Sequence, residues 1–176
     1  MIQQFTYWMF DIKRMLGKHK VRIVHIWMGR AFIGVMLYRI ERGLFLTFGR
    51  FWSLGRVVFS PIFYLLYAYS NLEINYRADI GPGILVLHAS MGCVVSAKSV
   101  IGRNLTLTGG NVIGARAGCP DRGIVIGNDC SLGANAVILG PVRLANNIKI
   151  GAAACVVRNE LNDCRILVGV PAKPIK

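Results

Sequence analysis

Few side chains in this sequence could move a proton near neutral pH. Its histidines are His19, His25 and His88, and histidine is the residue that titrates in that range without large perturbation. His19 lies between Lys18 and Lys20, where like charge lowers its proton affinity, and a solvated basic face accounts for it. His25 belongs to the same basic, aromatic stretch and reads as an interfacial or core residue. His88 differs: in the segment VLHASM it stands two residues after Val86 and breaks an aliphatic pattern. Taken alone it reads more readily as a satisfied structural histidine than as a general base. The cysteines, Cys93, Cys119, Cys130, Cys155 and Cys164, are odd in number and form no CxxC pair. Neither a zinc site nor a disulfide framework is indicated; small apolar fillers are the expected role, and no metal is expected.

The elements that must position His88 follow from a six-residue repeat. From Ile126 an aliphatic residue returns at Leu132, Ile138, Leu144, Ile150 and Val156, and a small or aliphatic residue stands four positions after each lead at Cys130, Ala136, Val142, Ile148 and Ala154. The same frame occurs upstream at Ile74, Ile80 and Val86 and, after a slip at Met91–Val94, at Val95, Ile101, Leu107 and Ile113. Inward residues two apart make each hexad a short strand and a turn, and three hexads close one triangular coil. The expected fold is therefore mainly β, a left-handed parallel β-helix over 71–176. An ordinary sandwich would not hold this register. The nine residues Ala115–Gly123 (ARAGCPDRG) break it and must leave the coil as a loop.

Residues 1–70 have another character. They carry ten Lys/Arg against Asp11 and Glu41, a net +8 of the chain's +13, with all three Trp and all eight Phe. With 54% hydrophobic and 16% charged residues the chain is not disordered. Helices are expected over 2–16, over Lys20 to Arg42, and over 44–69 with breaks at Gly17, Gly43, Gly49, Gly55 and Pro61. No run is long and clean enough to span a bilayer, since arginines recur; Val57 to Asn71 reads as an interfacial or re-entrant hairpin, or as a helix buried in an oligomer. Arginines set among Trp27, Phe32, Phe51 and Trp52 suit helices lying in a membrane interface. A helical cap packed on the β-helix is the other reading. No signal-peptide pattern is present, so the bulk of the chain is expected on the cytoplasmic side. The positive charge is mingled with aliphatics and no nucleic-acid motif accompanies it, so no nucleic acid is expected as partner.

The segment from Glu73-Ile74 through Asp79-Ile80-Gly81-Pro82-Gly83 to Leu87-His88 resembles the active-site coil of hexapeptide acyltransferases of the serine acetyltransferase branch, where an acid precedes the first Ile and a His follows fifteen residues later. The resemblance continues through IGRNLTLTGGNVIG, the loop ending Asp121-Arg122-Gly123, the later coils and the closing GVPAK. It implies O-acetyl transfer from acetyl-CoA as co-substrate, with His88 as general base and Glu73 fixing its tautomer. Backbone N–H groups near Gly109-Gly110 are candidate oxyanion donors. For acetyl-CoA it implies small residues at Gly110, Gly114, Ala134 and Ala152, with Arg158 and Lys173 favoured for the phosphates over Arg143 and Lys149. Arg122 is the expected acceptor contact, and a homotrimer is implied.

Departures from that branch direct the substrate reading. Leu87 stands where the family has an Asp for the amino acid's ammonium, Gly123 replaces a second His, and the long helical amino-terminal domain is replaced by the basic aromatic residues 1–70. These features resemble the exopolysaccharide O-acetyltransferases of the colanic-acid type. The sequence therefore leads to an acetyl-CoA-dependent O-acetyltransferase acting on a sugar hydroxyl of a capsular or exopolysaccharide repeat unit, or its lipid-linked precursor. The enzyme would sit peripherally on an anionic membrane surface, at the inner face of the cytoplasmic membrane. Serine O-acetyltransferase is the alternative enzyme; a non-catalytic membrane-binding β-helix scaffold is the alternative of another class.

Overall fold

Hexads that place one aliphatic inward and one small residue at each bend build a three-sided coil. The computed structural model describes residues 1–175 except His19, Lys20 and Arg22, and describes His25 without its side chain, so the readings of His19 and His25 lie outside the described residues. The first coil holds β1 (Leu72–Ile74), β2 (Asp79–Ile80) and β3 (Leu85–Val86), and the second β4 (Cys93–Val95), β5 (Ser99–Ile101) and β6 (Thr106–Leu107). The third holds β7 (Asn111–Ala115), β8 (Ile124–Ile126) and β9 (Ser131–Leu132), and the fourth β10 (Val137–Gly140), β11 (Val142–Leu144) and β12 (Lys149–Ile150). A last coil carries β13 (Cys155–Val156) and β14 (Ile166–Val168) and closes with β15 (Lys173–Ile175), which turns back antiparallel on β14.

Stacking the coils makes three parallel faces. The first runs β1-β4-β7-β10-β13, the second β2-β5-β8-β11, and the third β3-β6-β9-β12-β14 with β15 at its edge. Every lead residue of the repeat, from Ile74 and Ile80 to Ile150 and Val156, is buried in one continuous core, as are Cys130, Ala136, Val142, Ile148 and Ala154. Bends need a left-handed backbone, which Asn and Asp tolerate best after Gly. Between the second and third faces Gly83, Asn104, Asp129 and Asn147 supply it in successive coils. Val125, Val137 and Val157, outward on the coils, are each half-buried within the single chain.

Among the described residues five α-helices precede the coils: α1 (Ile2–Leu16), α2 (Ile23–Ile26), α3 (Arg30–Phe48), α4 (Arg50–Val58) and α5 (Ser60–Ser70). The expected single helix from Lys20 to Arg42 is corrected, because a turn at 27–29 starts α3 only at Arg30 and α3 then runs through Gly43. Gly43 does not break the helix because α1 crosses there, with Gln4 and Met1 packed against the bare backbone. Gly17 and Gly49 do end helices, at φ of 59° and 56°. Pro61 instead sits in the first turn of α5, where its missing N–H is no loss. At Gly34 a Cβ would lie 2.6 Å from Leu72, so α3 presses its backbone directly onto β1.

No single described helix is long and apolar enough to cross a membrane; α4 and α5 satisfy length and composition only as a pair bent by 86°. Their elbow exposes Phe51, Leu54, Val58, Phe59, Ile62 and Leu65. The exposed apolar surface of the molecule is thus concentrated on the helices rather than on the outward valines of the coils.

Two buried polar clusters tie the helices together. Arg39 of α3 donates to Asp11 of α1 at 2.8 Å, with 2% and 0% of their side chains exposed. Arg39 also donates to Gln4 and to the carbonyls of Ile80 and Gly81, while Asp11 accepts from the N–H groups of Gly83 and Ile84, each at 2.7 Å. Glu41, fully buried, accepts from Arg56 of α4 at 2.7 Å and from the Tyr67 hydroxyl of α5 at 2.6 Å. Burial, reinforced by the Glu41 carboxylate, pushes the Tyr67 hydroxyl up and keeps it a donor.

Burial raises the Asp11 carboxyl against the pull of Arg39. A folded value above the unfolded one contributes stability at low pH that is lost as pH rises through the folded value. At neutral pH the pair therefore fixes position more than it adds net stability, as buried ion pairs commonly do. Breaking it is another matter. Arg39→Met leaves a buried carboxylate uncompensated and is expected to cost about 3–5 kcal/mol. The double variant Asp11→Leu/Arg39→Met should remain destabilised as well, since it leaves four backbone groups of the first coil without partners. Urea titration followed by circular dichroism checks both, and a double variant as stable as the wild type would show the pair to be dispensable.

Candidate active site

His88 owes its exposure to a three-residue insertion. The inward positions Val86 and Val95 are nine apart rather than six, and the surplus forms a single 3₁₀ turn, Ala89–Met91. Met91 N–H donates to the His88 carbonyl at 3.1 Å and Gly92 N–H to that of Ala89 at 3.0 Å. His88 N–H donates to Thr108 O at 2.8 Å, which ties its backbone to the second coil while the ring is left exposed. Beneath the turn, Asn71 Nδ2 donates to Ser90 O at 2.9 Å. Above it lies Gly109, with φ of +144°, where a Cβ would stand 2.6 Å from the His88 carbonyl oxygen. Only glycine lets the next coil come this close.

His88 lines a cavity of about 480 Å³ between the first coil and the helices. Its walls include Arg14 and Met15 from the end of α1, Gly29, Arg30 and Phe32 from the start of α3, and Leu87. Arg14 is held by Leu105 O at 3.1 Å and Thr106 Oγ1 at 2.8 Å, and it also donates to Gly83 O. A larger cavity, about 930 Å³, lies on the other side of the 88–92 turn, between α4, α5 and the first face. Glu73 lines it together with Arg56, Phe63, Tyr64, Tyr67 and Tyr76. Glu73 and His88 therefore flank the same turn from two cavities, and among the described residues no hydrogen bond joins carboxylate to imidazole.

The three corners of the coil sort the remaining expected site residues. Gly110, Ala134 and Ala152 stack along the corner between the third and first faces, the corner that also carries His88. They belong to a column of backbone bonds: Gly110 N–H to Gly92 O, Asn135 N–H to Gly109 O and Ala153 N–H to Ala134 O. Lys173, paired with Val168 in the closing hairpin, stands near the end of this column. Gly114 sits within β7 on the first face, and Arg158 follows β13 at the corner between the first and second faces. Arg122 is at that second corner too, in the ejected loop, with its guanidinium 3.4 Å from Asp79, which also pairs with Arg42 at 3.2 Å. Within one chain it is not brought to His88.

The expected oxyanion donors are corrected. Gly109 N–H donates to Asn111 Oδ1 at 2.9 Å and Gly110 N–H to Gly92 O at 2.7 Å, so both groups are committed to the stacking of coils. Burial pushes the Cys93 and Cys130 thiols up, as befits core fillers rather than nucleophiles. Among the described residues no group of His, Cys, Asp or Glu has the grouping of a metal site. The residues that sequence reasoning missed are Arg14 and Arg30. Neither belongs to a repeat or a motif; only the spatial return of α1 and α3 to the first coil places them at the cavity that His88 lines.

Coils of this kind, with an exposed imidazole on an insertion at one corner, define a hexapeptide-repeat β-helix protein. Residues 110–139 and 123–157 match the hexapeptide repeat of succinyl-transferase. The serine acetyltransferase of Synechococcus elongatus is 30% identical over 107 residues, 60% of this chain and 43% of that protein. That of Helicobacter pylori is 34% identical over 107 residues, 60% of this chain and 61% of its own length. The chain thus spans roughly half the length of these curated relatives. The crystal structure of Neisseria gonorrhoeae serine acetyltransferase superposes with a TM-score of 0.81 at 26% identity, covering 99% of this chain and 67% of that one. These matches establish likeness to a hexapeptide repeat and to serine acetyltransferases; the relatives named are not exopolysaccharide enzymes. The superposition takes in the helices as well. Residues 1–70 therefore superpose on part of that structure, a third of which has no counterpart in this chain.

Gly109→Ala is expected to push the 88–91 turn outward and to cost about 1–3 kcal/mol through strain and overpacking. The loss would be read from the urea midpoint, with a shifted His88 ring resonance in the NMR spectrum. An unchanged midpoint and an unchanged ring signal would refute the close approach as a constraint on His88.

Proposed function

We propose that this chain is an acetyl-CoA-dependent O-acetyltransferase, and the observation that carries the reading is His88, exposed at a cavity on the insertion of the first coil. The neutral imidazole takes the proton of the acceptor hydroxyl as its oxygen attacks the thioester carbonyl carbon. The tetrahedral adduct collapses, the C–S bond breaks, and the imidazolium returns the proton to the departing CoA thiolate. Glu73, which flanks the 88–92 turn from the other cavity, is the carboxylate assigned to orient the ring, a contact that needs a rearrangement bringing it to the imidazole. The column of Gly110, Ala134 and Ala152 offers a bare corner along which the thin pantetheine arm can lie, with Lys173 at its end and Arg158 further round for the phosphates; Gly114 widens the neighbouring face.

The acceptor reading with most support is serine, because the relatives named above are serine acetyltransferases. One observation favours a saccharide hydroxyl instead: Leu87, 52% exposed beside His88, supplies no charge for an ammonium group. Acetyl-CoA-dependent thiol release with L-serine, and with a polysaccharide or lipid-linked saccharide fraction, separates the two. We also propose assembly as a homotrimer and peripheral attachment to the inner face of the cytoplasmic membrane, supported by the exposed α4–α5 elbow and the net +8 of residues 1–70. Apolar burial and attraction of cations to anionic lipid would act together there.

His88→Ala is expected to lose about 10²–10⁴ in turnover while retaining acetyl-CoA affinity, and Glu73→Gln to lose less. Retention of more than about a tenth of wild-type turnover by His88→Ala would sink the assignment and leave the β-helix as a scaffold, since general acid–base assistance is worth far more than that. For attachment, the full chain should float with vesicles of phosphatidylglycerol and phosphatidylcholine, and less so at high salt. Absence of flotation at low salt would make the elbow an oligomer contact, with a trimeric mass in light scattering as the accompanying result.

A further inference from the structure

The cavity beside His88 carries a charge pattern that acetyl transfer alone does not require. Its described walls hold Arg14 and Arg30 and no carboxylate. Arg14 is fixed by Gly83 O, Leu105 O and Thr106 Oγ1, so its charge is held in place at the cavity wall. Arg30 is exposed and lies over the Tyr69 ring, 5.9 Å from its centroid, and among the described residues no acidic side chain pairs with it. Tyr69 is itself anchored, its hydroxyl donating to Met28 O at 2.7 Å. The first turn of α3, which opens at this cavity, contains no acidic residue, so the positive end of its dipole adds to Arg30, while Arg14 sits in the last turn of α1 and offsets that helix's negative end. Asp11, the nearest buried acid on α1, is consumed by Arg39 and by two backbone N–H groups of the first coil. At the position next to His88, Leu87 is apolar and half-exposed.

We propose that the acceptor enters the His88 cavity through an anionic group, carboxylate or phosphate, set against Arg30, with Arg14 as a fixed second charge and no ammonium contact. An ammonium group there would meet two guanidinium groups and no carboxylate in the described cavity wall, since Asp129 and Asp11 act on Arg14 from outside it. A guanidinium presents a planar fork of donors that suits both carboxylate and phosphate. The cavity, at about 480 Å³, admits either a small hydroxy acid or a sugar phosphate. The inference rests on the reading of His88 as the base, and it makes Arg30 a specificity-determining residue for that reaction.

Five probes separate the possibilities: L-serine, 3-hydroxypropanoate (serine without its amine), ethanolamine (serine without its carboxylate), glucose 6-phosphate and glucose. Binding is read by saturation-transfer NMR, which needs no turnover, and acetylation by thiol release. 3-Hydroxypropanoate is expected to bind at least as well as L-serine, and ethanolamine at least ten-fold more weakly than either. Glucose 6-phosphate binding with glucose silent would mark phosphate as the natural anion; 3-hydroxypropanoate binding with glucose 6-phosphate silent would mark carboxylate. Arg30→Gln should raise KM for the preferred anion at least ten-fold with kcat within two-fold, and leave ethanolamine binding unchanged. Serine bound ten-fold better than 3-hydroxypropanoate, ethanolamine bound as well as the anions, or no anion bound at all would each overturn the inference. A His88→Ala variant that keeps the anion preference and full turnover would instead overturn the catalytic reading and leave the anion site standing.

Discussion

The interaction on which the rest of this structure depends is the buried pair Asp11–Arg39. A stacked solenoid satisfies each coil with the coils on either side, so its first coil is left with donors and acceptors that no preceding coil meets. In the body of the β-helix, Asn104 N–H donates to Pro82 O and Asp129 N–H to Arg103 O, while Ile101 O accepts from Gly81 N–H and Ile126 O from Gly102 N–H. The matching groups at the open end are the N–H of Gly83 and the carbonyl of Ile80. Asp11 accepts the first and Arg39 donates to the second. Carboxylate and guanidinium together act as the hydrogen-bonding edge of a missing coil, each cancelling the other's charge inside the protein. Their desolvation is tolerated because the alternative is several orphaned backbone groups at a buried end.

That cap also frames the site. The helices that bring Asp11 and Arg39 to the first coil are α1 and α3, and the end of the one and the start of the other form the helical wall of the His88 cavity. Arg14 lies three residues, nearly one turn, beyond Asp11, so the geometry that seats the carboxylate seats the guanidinium as well. On the far side, Gly34 lets α3 lie flat on β1, and the 88–92 turn rests on Asn71 at the start of that strand. A displacement of α3 would therefore move the cap, the cavity wall and the seat of the histidine turn at once.

The parts legible in the sequence are those governed by local period. A hexad constrains its own six residues and the one stacked above, so every inward lead from Ile74 to Val156 could be named, and the slip before Val95 marked where His88 leaves the wall. The pairing of Asp11 with Arg39, 28 residues apart, has no periodic signature, nor has the reach of Arg14 to Thr106 across 92 residues. The unbroken run of α3 through Gly43 was hidden for a related reason. Glycine propensity argues for a break, but α1 packs against that very backbone and decides otherwise. The oxyanion donors failed on occupancy rather than position: whether the N–H groups of Gly109 and Gly110 point at substrate depends on Asn111 and Gly92, and only the stacked coils show that both are taken.

The corners of a triangular coil point outward about 120° apart, which bears on any site built from several of them. His88 and the column of Gly110, Ala134 and Ala152 share one corner, whereas Arg122 and Arg158 occupy the next. The loop that carries Arg122 is held at its corner by Asp79, by Arg116 donating to Gly140 O and by Lys98 donating to Cys119 O. No rotamer of Arg122 carries it round a face to His88. A reaction centre containing both must therefore take them from different copies, the loop of one lying against the His88 corner of the next. In the homotrimer proposed above, the interface that covers outward aliphatics is where two such corners would have to meet. An Arg122 that served the reaction in a lone chain would contradict the geometry, which holds its guanidinium against Asp79.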